Sequence, residues 1–203
     1  MVKRFFDFLI SLIAVVILLP VLLFTAMLSF YFQGLPILFL HKRLGKDGKP
    51  FTMIKFRTMA NGISISAEND IERLTKWGKF LRRLSIDELT VLFNVIKGDM
   101  SLVGPRPMPI KYLKRFNSFQ KKRMKIKPGI TGLAQIKGRN HLTWEDRFDY
   151  DVKYVFNNSL STDFVIILKT ILLVLNGKNV EAKNQEIMPE FMGTHKSDID
   201  KNE

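Results

Sequence analysis

The chain has 203 residues and a mass of 23.6 kDa, which suits one domain with an appendage. It contains no cysteine, so disulfide staples, Cys-zinc sites and thiol catalysis are excluded. Thirty-two Lys and Arg against 19 acids give a net charge of +13, which points to an anionic partner: nucleic acid, anionic lipid or a phosphorylated substrate.

From Phe8 to Leu40 no residue is charged, and the run "FLISLIAVVILLPVLLFTAMLSFYF" is apolar almost throughout. About 20 such residues span a bilayer, so this segment belongs in a membrane. A cleaved signal peptide would have a shorter apolar core and a small-x-small site after it. Pro20 sits in mid-run, where it removes a backbone hydrogen bond and kinks a helix. Lys3 and Arg4 precede the run, and His41, Lys42, Arg43 and Lys46 follow it. Positive flanks on both sides favour a re-entrant helix, broken at Pro20, with both ends cytoplasmic. A kinked single span is the alternative.

Next, "PILFLHKRLGKDGKPFTMIKFRTM" reads as a β-hairpin with Asp47-Gly48 at its turn. Alternation on the second strand puts Lys55 and Arg57 on one face, as a phosphate grip or as a solvated surface. Residues 60–72 are polar and read as a mobile loop, and "LTKWGKFLRRL" as a short helix. Ser85 opens the next helix, with Leu89, Leu92, Phe93 and Ile96 as its buried stripe and Gly98 as its stop. Residues 111–127 carry eight Lys or Arg and no acid, with Tyr112, Leu113, Phe116 and Phe119 at helical spacing. That pattern describes an amphipathic helix on anionic membrane lipids. With a membrane segment upstream, the lipid reading is taken over nucleic acid. "KPGITGLAQIKGRN" is a glycine-punctuated loop, and "TWEDRFDYDVKYVF" a helix capped by Thr143. "DFVIILKTILLVL" is a core helix or a second interfacial one, and the tail is polar and poorly ordered.

Asp87 and Glu88 stand out in this basic chain. Ser85 with Glu88 three positions on fits a capping box, and acids suit a first helical turn. The functional alternative is a nucleophile beside a Mg²⁺ site. Two adjacent carboxylates can hold that ion together with substrate phosphates, and an attacking Asp needs the phosphate oxygens neutralised. Arg82, Arg83, Arg139 and the proline-flanked Arg106 are cations suited to that task.

"KFRTM" (55–59), "LRRLSIDELTVLFNVIKGDMSLVGPRP" (81–107), "KPGITGLAQIKGRN" (127–140) and "DYDVKYV" (149–155) occur in order behind the proline-containing membrane segment. Together they resemble the monotopic phosphoglycosyl transferases, the bacterial sugar transferase family, over residues 1 to about 176. The resemblance implies that Asp87 attacks the sugar-bearing phosphorus of a UDP-sugar and that Glu88 helps hold Mg²⁺. UMP then leaves, and polyprenol (undecaprenyl) phosphate takes the phosphosugar. It also implies phosphate contacts from Arg82, Arg106 and Arg139, with Lys55, Arg57, Gln135 and Asn140 among the substrate-binding residues. The implied location is the cytoplasmic face of the bacterial inner membrane. The family commonly breaks its membrane helix at Ser-Pro, whereas Leu19-Pro20 stands here, so the serine hydroxyl that would satisfy a freed carbonyl is missing.

The expected fold is α+β and mostly helical. It comprises a membrane-inserted re-entrant helix (1–34), a catalytic domain (35–176) with a small β-hairpin and amphipathic interfacial helices, and a polar tail (177–203). Two other functions fit parts of the pattern: a membrane glycosyltransferase that releases UDP, and a non-enzymatic basic membrane adaptor.

Overall fold

The computed structural model describes residues 2–60, 73–138, 142–175 and 190–193. The described residues fall into two compact units. The first draws on Met1–His41, Met53–Gly98 and Leu172–Glu181, and the second on Lys42–Thr52, Asp99–Ile171 and Ala182–Glu203.

Helix α1 (Val2–Gln33) belongs to the first unit, and its mean hydropathy reaches 3.0 over an 18-residue window. It is inverted relative to a water-soluble amphipathic helix. Its buried positions are Asp7, Ser11, Leu22, Thr25 and Ser29, which share one face at about 100° per residue. Val16, Ile17, Leu23, Phe24 and Met27 are exposed. Small polar residues facing protein and large apolar ones facing outward suit a lipid solvent. The predicted break at Pro20 is not a gap between two helices. The chain stays helical through it, so the proline removes the bond to the Val16 carbonyl while the flanking rungs hold the helix together.

Strands β1 (Leu38–Leu44) and β2 (Pro50–Phe56) form the expected hairpin. Asp47 (φ 55°) and Gly48 (φ 73°) supply the left-handed turn. Helix α2 (Lys76–Arg83) is capped by the Thr75 hydroxyl, which accepts from Gly78 N at 2.8 Å. A Cβ on Gly78 would stand 1.9 Å from the Thr58 carbonyl oxygen, so only glycine allows this crossing. Leu22, Phe56 and Leu81 form the buried centre of the unit.

The helix predicted from Ser85 is two pieces: a 3₁₀ turn, Ile86–Glu88, and α3 (Val91–Lys97), which ends at Gly98 (φ 98°) as expected. A 3₁₀ turn advances about 120° per residue rather than about 100°, so the buried face is rotated from the predicted one. Val91, Leu92, Asn94 and Val95 are buried while Phe93 is exposed.

The second unit contains a parallel pair absent from the sequence reading, β3 (Ser101–Val103) with β4 (Gly129–Thr131). At 111–125 the predicted amphipathic helix is replaced by a 3₁₀ turn (Ile110–Lys114), the single-turn helix α4 (Ser118–Lys121) and a second 3₁₀ turn (Lys122–Lys125). Asn117 starts a new helix by capping Gln120 N, which interrupts the helical period. Helices α5 (Leu133–Lys137), α6 (Trp144–Phe156) and α7 (Leu160–Leu175) follow. Thr143 caps α6 by accepting from Asp146 N at 3.1 Å, as predicted.

Tyr112, Phe116, Phe148 and Phe191 build an aromatic core, so the C-terminal segment is not merely a polar tail. On α7, Ile166 is buried beside Tyr154 and Val103, whereas Phe164, Leu168 and Leu172 are exposed.

Candidate active site

The first unit assembles a site around the 3₁₀ turn. Ser85 has φ 56° and ψ 22°, the left-handed region, which costs a non-glycine residue about 1 kcal/mol. Its side chain makes no capping bond, so the capping-box reading of Ser85 and Glu88 fails. The acids therefore occupy a single strained turn rather than the start of a regular helix. Strained turns cluster at functional sites.

Strand β2 is fastened to this turn by both backbone groups of Ile54. Its N–H donates to Asn94 Oδ1 at 3.1 Å, and its carbonyl accepts from Thr90 Oγ1 at 2.9 Å. Thr90 and Asn94 are buried. The fastening delivers the next residue, Lys55, whose Nζ lies 2.6 Å from Glu88 Oε1. Asp87 is buried at 8% exposure beside this pair in sequence. Asn94 was legible only as a polar residue inside the apolar run "TVLFNVI".

Arg57, predicted to bind substrate, is instead built into the fold. It is 5% exposed, and its guanidinium donates to the carbonyls of Gln33 and Gly34, closing the C-terminal end of α1. The strand ends at Phe56, so alternation does not carry to position 57. Arg82 is partly buried, and its Nε donates to Thr58 Oγ1 at 3.1 Å.

Arg106 and Gln135 belong to the second unit. The Arg106 carbonyl accepts from Arg123 Nη2 at 2.7 Å, and Arg123 Nη2 reaches Asp151 Oδ2 at 2.5 Å. Burial pushes the Asp151 carboxyl up from its ordinary value, against the opposing pull of Arg123. Neither Arg123 nor Asp151 was singled out in the sequence, where Arg123 read as one cation of a basic amphipathic helix. Gln135 Nε2 donates to the Ile130 carbonyl at 2.8 Å, tying α5 to the preceding strand. Arg139 and Asn140 lie outside the described residues.

Residues 1–177 match the bacterial sugar transferase family. The chain belongs to that family. It is 42% identical to a sugar transferase, EpsL, of Bacillus subtilis over 194 residues, covering 95% of this chain and 96% of the relative. It is 37% identical to a UDP-N-acetylgalactosamine-undecaprenyl-phosphate N-acetylgalactosaminephosphotransferase of Aeromonas hydrophila, covering 87% of this chain and 44% of the relative. With an undecaprenyl-phosphate galactose phosphotransferase of Salmonella typhimurium it shares 38% identity, covering 85% and 40%. The chain thus spans less than half the length of these last two.

Family membership makes this sugar transferase an enzyme and removes the adaptor reading. The exposed apolar surface of α1 places it at a membrane. Among the described residues no group of three or more acidic or histidine side chains could hold a metal. Asp87 and Glu88 still fit Mg²⁺, because that ion is commonly bound by one or two carboxylates, with substrate phosphate and water completing the shell.

Proposed function

We propose that this sugar transferase moves a sugar-1-phosphate from a UDP-sugar to polyprenol phosphate, undecaprenyl phosphate by analogy with the two named relatives. The observation that carries the reading is the strained turn at Ser85, with Asp87 buried and Glu88 fastened to Lys55. A carboxylate used for catalysis gains from being held in one position against charge repulsion from a diphosphate, and a strained turn supports that reading.

Asp87 Oδ attacks the sugar-bearing phosphorus, and the bond from that phosphorus to the bridging oxygen breaks. UMP leaves with the electron pair, and an aspartyl-phosphosugar remains. An oxygen of polyprenol phosphate then attacks the same phosphorus, the acyl-phosphate bond breaks, and the Asp87 carboxylate is restored with polyprenyl-diphosphate-sugar as product. Asp87 and Glu88 would hold Mg²⁺, whose chemistry is to neutralise phosphate oxygens. Lys55 orients Glu88, and Arg82 supplies further positive charge for phosphate.

We further propose a re-entrant α1 that keeps the catalytic residues on the cytoplasmic face. The support is that both ends of α1 touch the first unit. Arg4 donates to the Val95 and Ile96 carbonyls at 2.5 and 2.7 Å, while Gln33 donates to Thr75 Oγ1 at 2.6 Å. Anionic lipids are the proposed partners of the basic 111–125 segment, where Lys122 and Lys125 lie over the exposed Phe156 ring at 5.9 and 5.5 Å.

The test is nucleotide release from a panel of UDP-sugars with Mg²⁺ and no acceptor, with intact-mass analysis of the protein. The expected result is a stoichiometric burst of UMP with a phosphosugar adduct that Asp87→Asn does not form. Release of UDP only on adding acceptor would overturn the covalent route in favour of plain glycosyl transfer.

A further inference from the structure

The segment 190–193 lies beyond residues 1–177, the part of the chain that matches the family. It nevertheless docks on residues of that part, all within the second unit. Phe191 is 2% exposed, whereas Met192 is 72% exposed and Glu190 also stays at the surface. The segment thus commits one side chain to the interior.

Four rings enclose it. Phe148 and Tyr112 meet the Phe191 ring edge-on at 5.0 and 5.7 Å, and Trp144 and Phe116 lie tilted against it at 5.6 and 5.9 Å. Aromatic pairs at such angles and separations attract beyond the area they bury, so the socket favours a ring over an aliphatic side chain. The backbone is gripped as well. The Phe191 N–H donates to Tyr112 Oη at 3.2 Å, and the Phe191 carbonyl accepts from Arg115 Nη1 at 2.5 Å.

Charge fixes the preceding position. Glu190 Oε2 meets Lys111 Nζ and Glu190 Oε1 meets Arg115 Nη1, each at 2.6 Å. Arg115 Nη1 also reaches Met192 Sδ at 3.7 Å, so one guanidinium touches three consecutive residues. Its Cζ lies 5.5 Å from the centroid of Tyr112, a ring that lines the socket. An enclosed anchor ring, paired main-chain groups and a clamp on an adjacent carboxylate are the means by which a protein reads a short peptide. Surface ion pairs contribute little each, so the grip rests on one ring and opens without unfolding the unit.

We propose that Lys111, Tyr112, Arg115, Phe116, Trp144 and Phe148 form a peptide-recognition socket for a carboxylate followed by an aromatic residue. Its resident ligand is this chain's own Glu190–Phe191 pair, bound in cis and exchangeable. The socket is made of residues inside the family match and the ligand of residues outside it.

Trp77 and Trp144 are the chain's two tryptophans, so a Trp77→Phe parent reports from the socket alone. In that background the full chain in zwitterionic nanodiscs carries Phe191→Ala, which empties the socket. It is titrated with the capped peptide Met-Pro-Glu-Phe-Met-Gly, the sequence of residues 188–193, following Trp144 fluorescence. We expect a saturable change that is lost when the peptide's Phe is replaced by Ala. Replacing its Glu by Gln raises Kd about threefold. The parent, which keeps Phe191, resists the peptide with an apparent Kd at least about tenfold higher, because a tethered ligand competes at high effective concentration.

No binding to the emptied chain overturns the socket, as does equal binding of the peptide that lacks Phe. Equal Kd for parent and emptied chain overturns the resident ligand. Resistance that fades on dilution of the parent places the segment on a second copy and overturns binding in cis. If Phe191→Ala does not fold, Glu190→Lys decides, because Lys111 and Arg115 repel the introduced charge while the core ring is kept. The peptide then binds this variant more tightly than the parent, and equal affinity overturns the proposal. No UDP-sugar is present, so failure here leaves the transferase reading untouched.

Discussion

Asp87 and Asn94 separate chemistry from support at the scale of single residues. Asp87→Asn preserves shape and removes the anionic oxygen, so it should leave the fold intact. It should lower turnover by at least about a thousandfold, measured as UMP release alongside an unchanged circular dichroism spectrum. Asn94→Ala acts by another route. It strips the partner from the Ile54 N–H, a partly buried donor, which costs about 1 kcal/mol. It also loosens the strand that delivers Lys55 to Glu88. A lower denaturation midpoint together with reduced turnover is expected. A variant with full stability and full activity would show that the Ile54 fastening carries neither role.

Among the elements, the features readable in the sequence were those with a local cause. The Asp47-Gly48 turn, the Thr143 cap and the Gly98 stop each depend on residues within a few positions of one another. The features that were not readable depend on partners far along the chain. β3 pairs with β4 across 28 positions at Ser101↔Gly129, and three residues per strand carry no periodicity. Arg57 looked like a strand cation because its true partners, the Gln33 and Gly34 carbonyls, belong to the preceding membrane helix. The acidic pair was legible as a site only through the ordered motifs around it, and its strained turn not at all. Arg123 and Asp151 show the energetic side of such long-range pairing. Asp151→Asn leaves a buried guanidinium without its counter-charge and should cost about 3–5 kcal/mol in chemical denaturation. Arg123→Met combined with Asp151→Leu should regain most of that loss, because an apolar pair removes both desolvation costs. Glu190 bridges Lys111 and Arg115 at 2.6 Å each beside the buried Phe191, and this clasp gives a pH signature. Hydrogen bonds from Lys111, and then Arg115, hold its carboxyl below the usual 4.5. A depressed carboxyl stabilises the fold above its unfolded pKa and loses that contribution as pH falls through the folded one. In a Trp77→Phe background, Trp144 fluorescence, which senses Phe191 at 5.6 Å, should therefore be flat from neutral pH to about 5 and change only in more acid solution. Glu190→Gln should abolish that acid step.

For the molecule as a whole, the central question is how a helix of 32 residues meets the bilayer. At about 1.5 Å per residue it is roughly 48 Å long, well above the roughly 30 Å hydrocarbon thickness. A helix crossing from one side to the other would leave one end remote from the elements that dock the other. Here Arg4 near one end is fixed to α3, and Ser29 near the other accepts from Trp77 Nε1 of α2 at 2.9 Å. Arg57 then closes the helix at Gln33 and Gly34. These partners belong to the first unit, the one that holds the acidic turn, so separating the two ends across a bilayer would require breaking one set of contacts. Pro20 offers the place to bend, because the Val16 carbonyl already lacks its partner there. The absence of cysteine makes the test clean. Lys3→Cys and Lys46→Cys, introduced one at a time, should both be labelled by an impermeant reagent in inverted vesicles and neither in right-side-out vesicles. Labelling of the two positions from opposite sides would establish a span. It would leave the phosphoryl chemistry in place, but the Arg4 contacts with Val95 and Ile96 could not then coexist with a membrane between them.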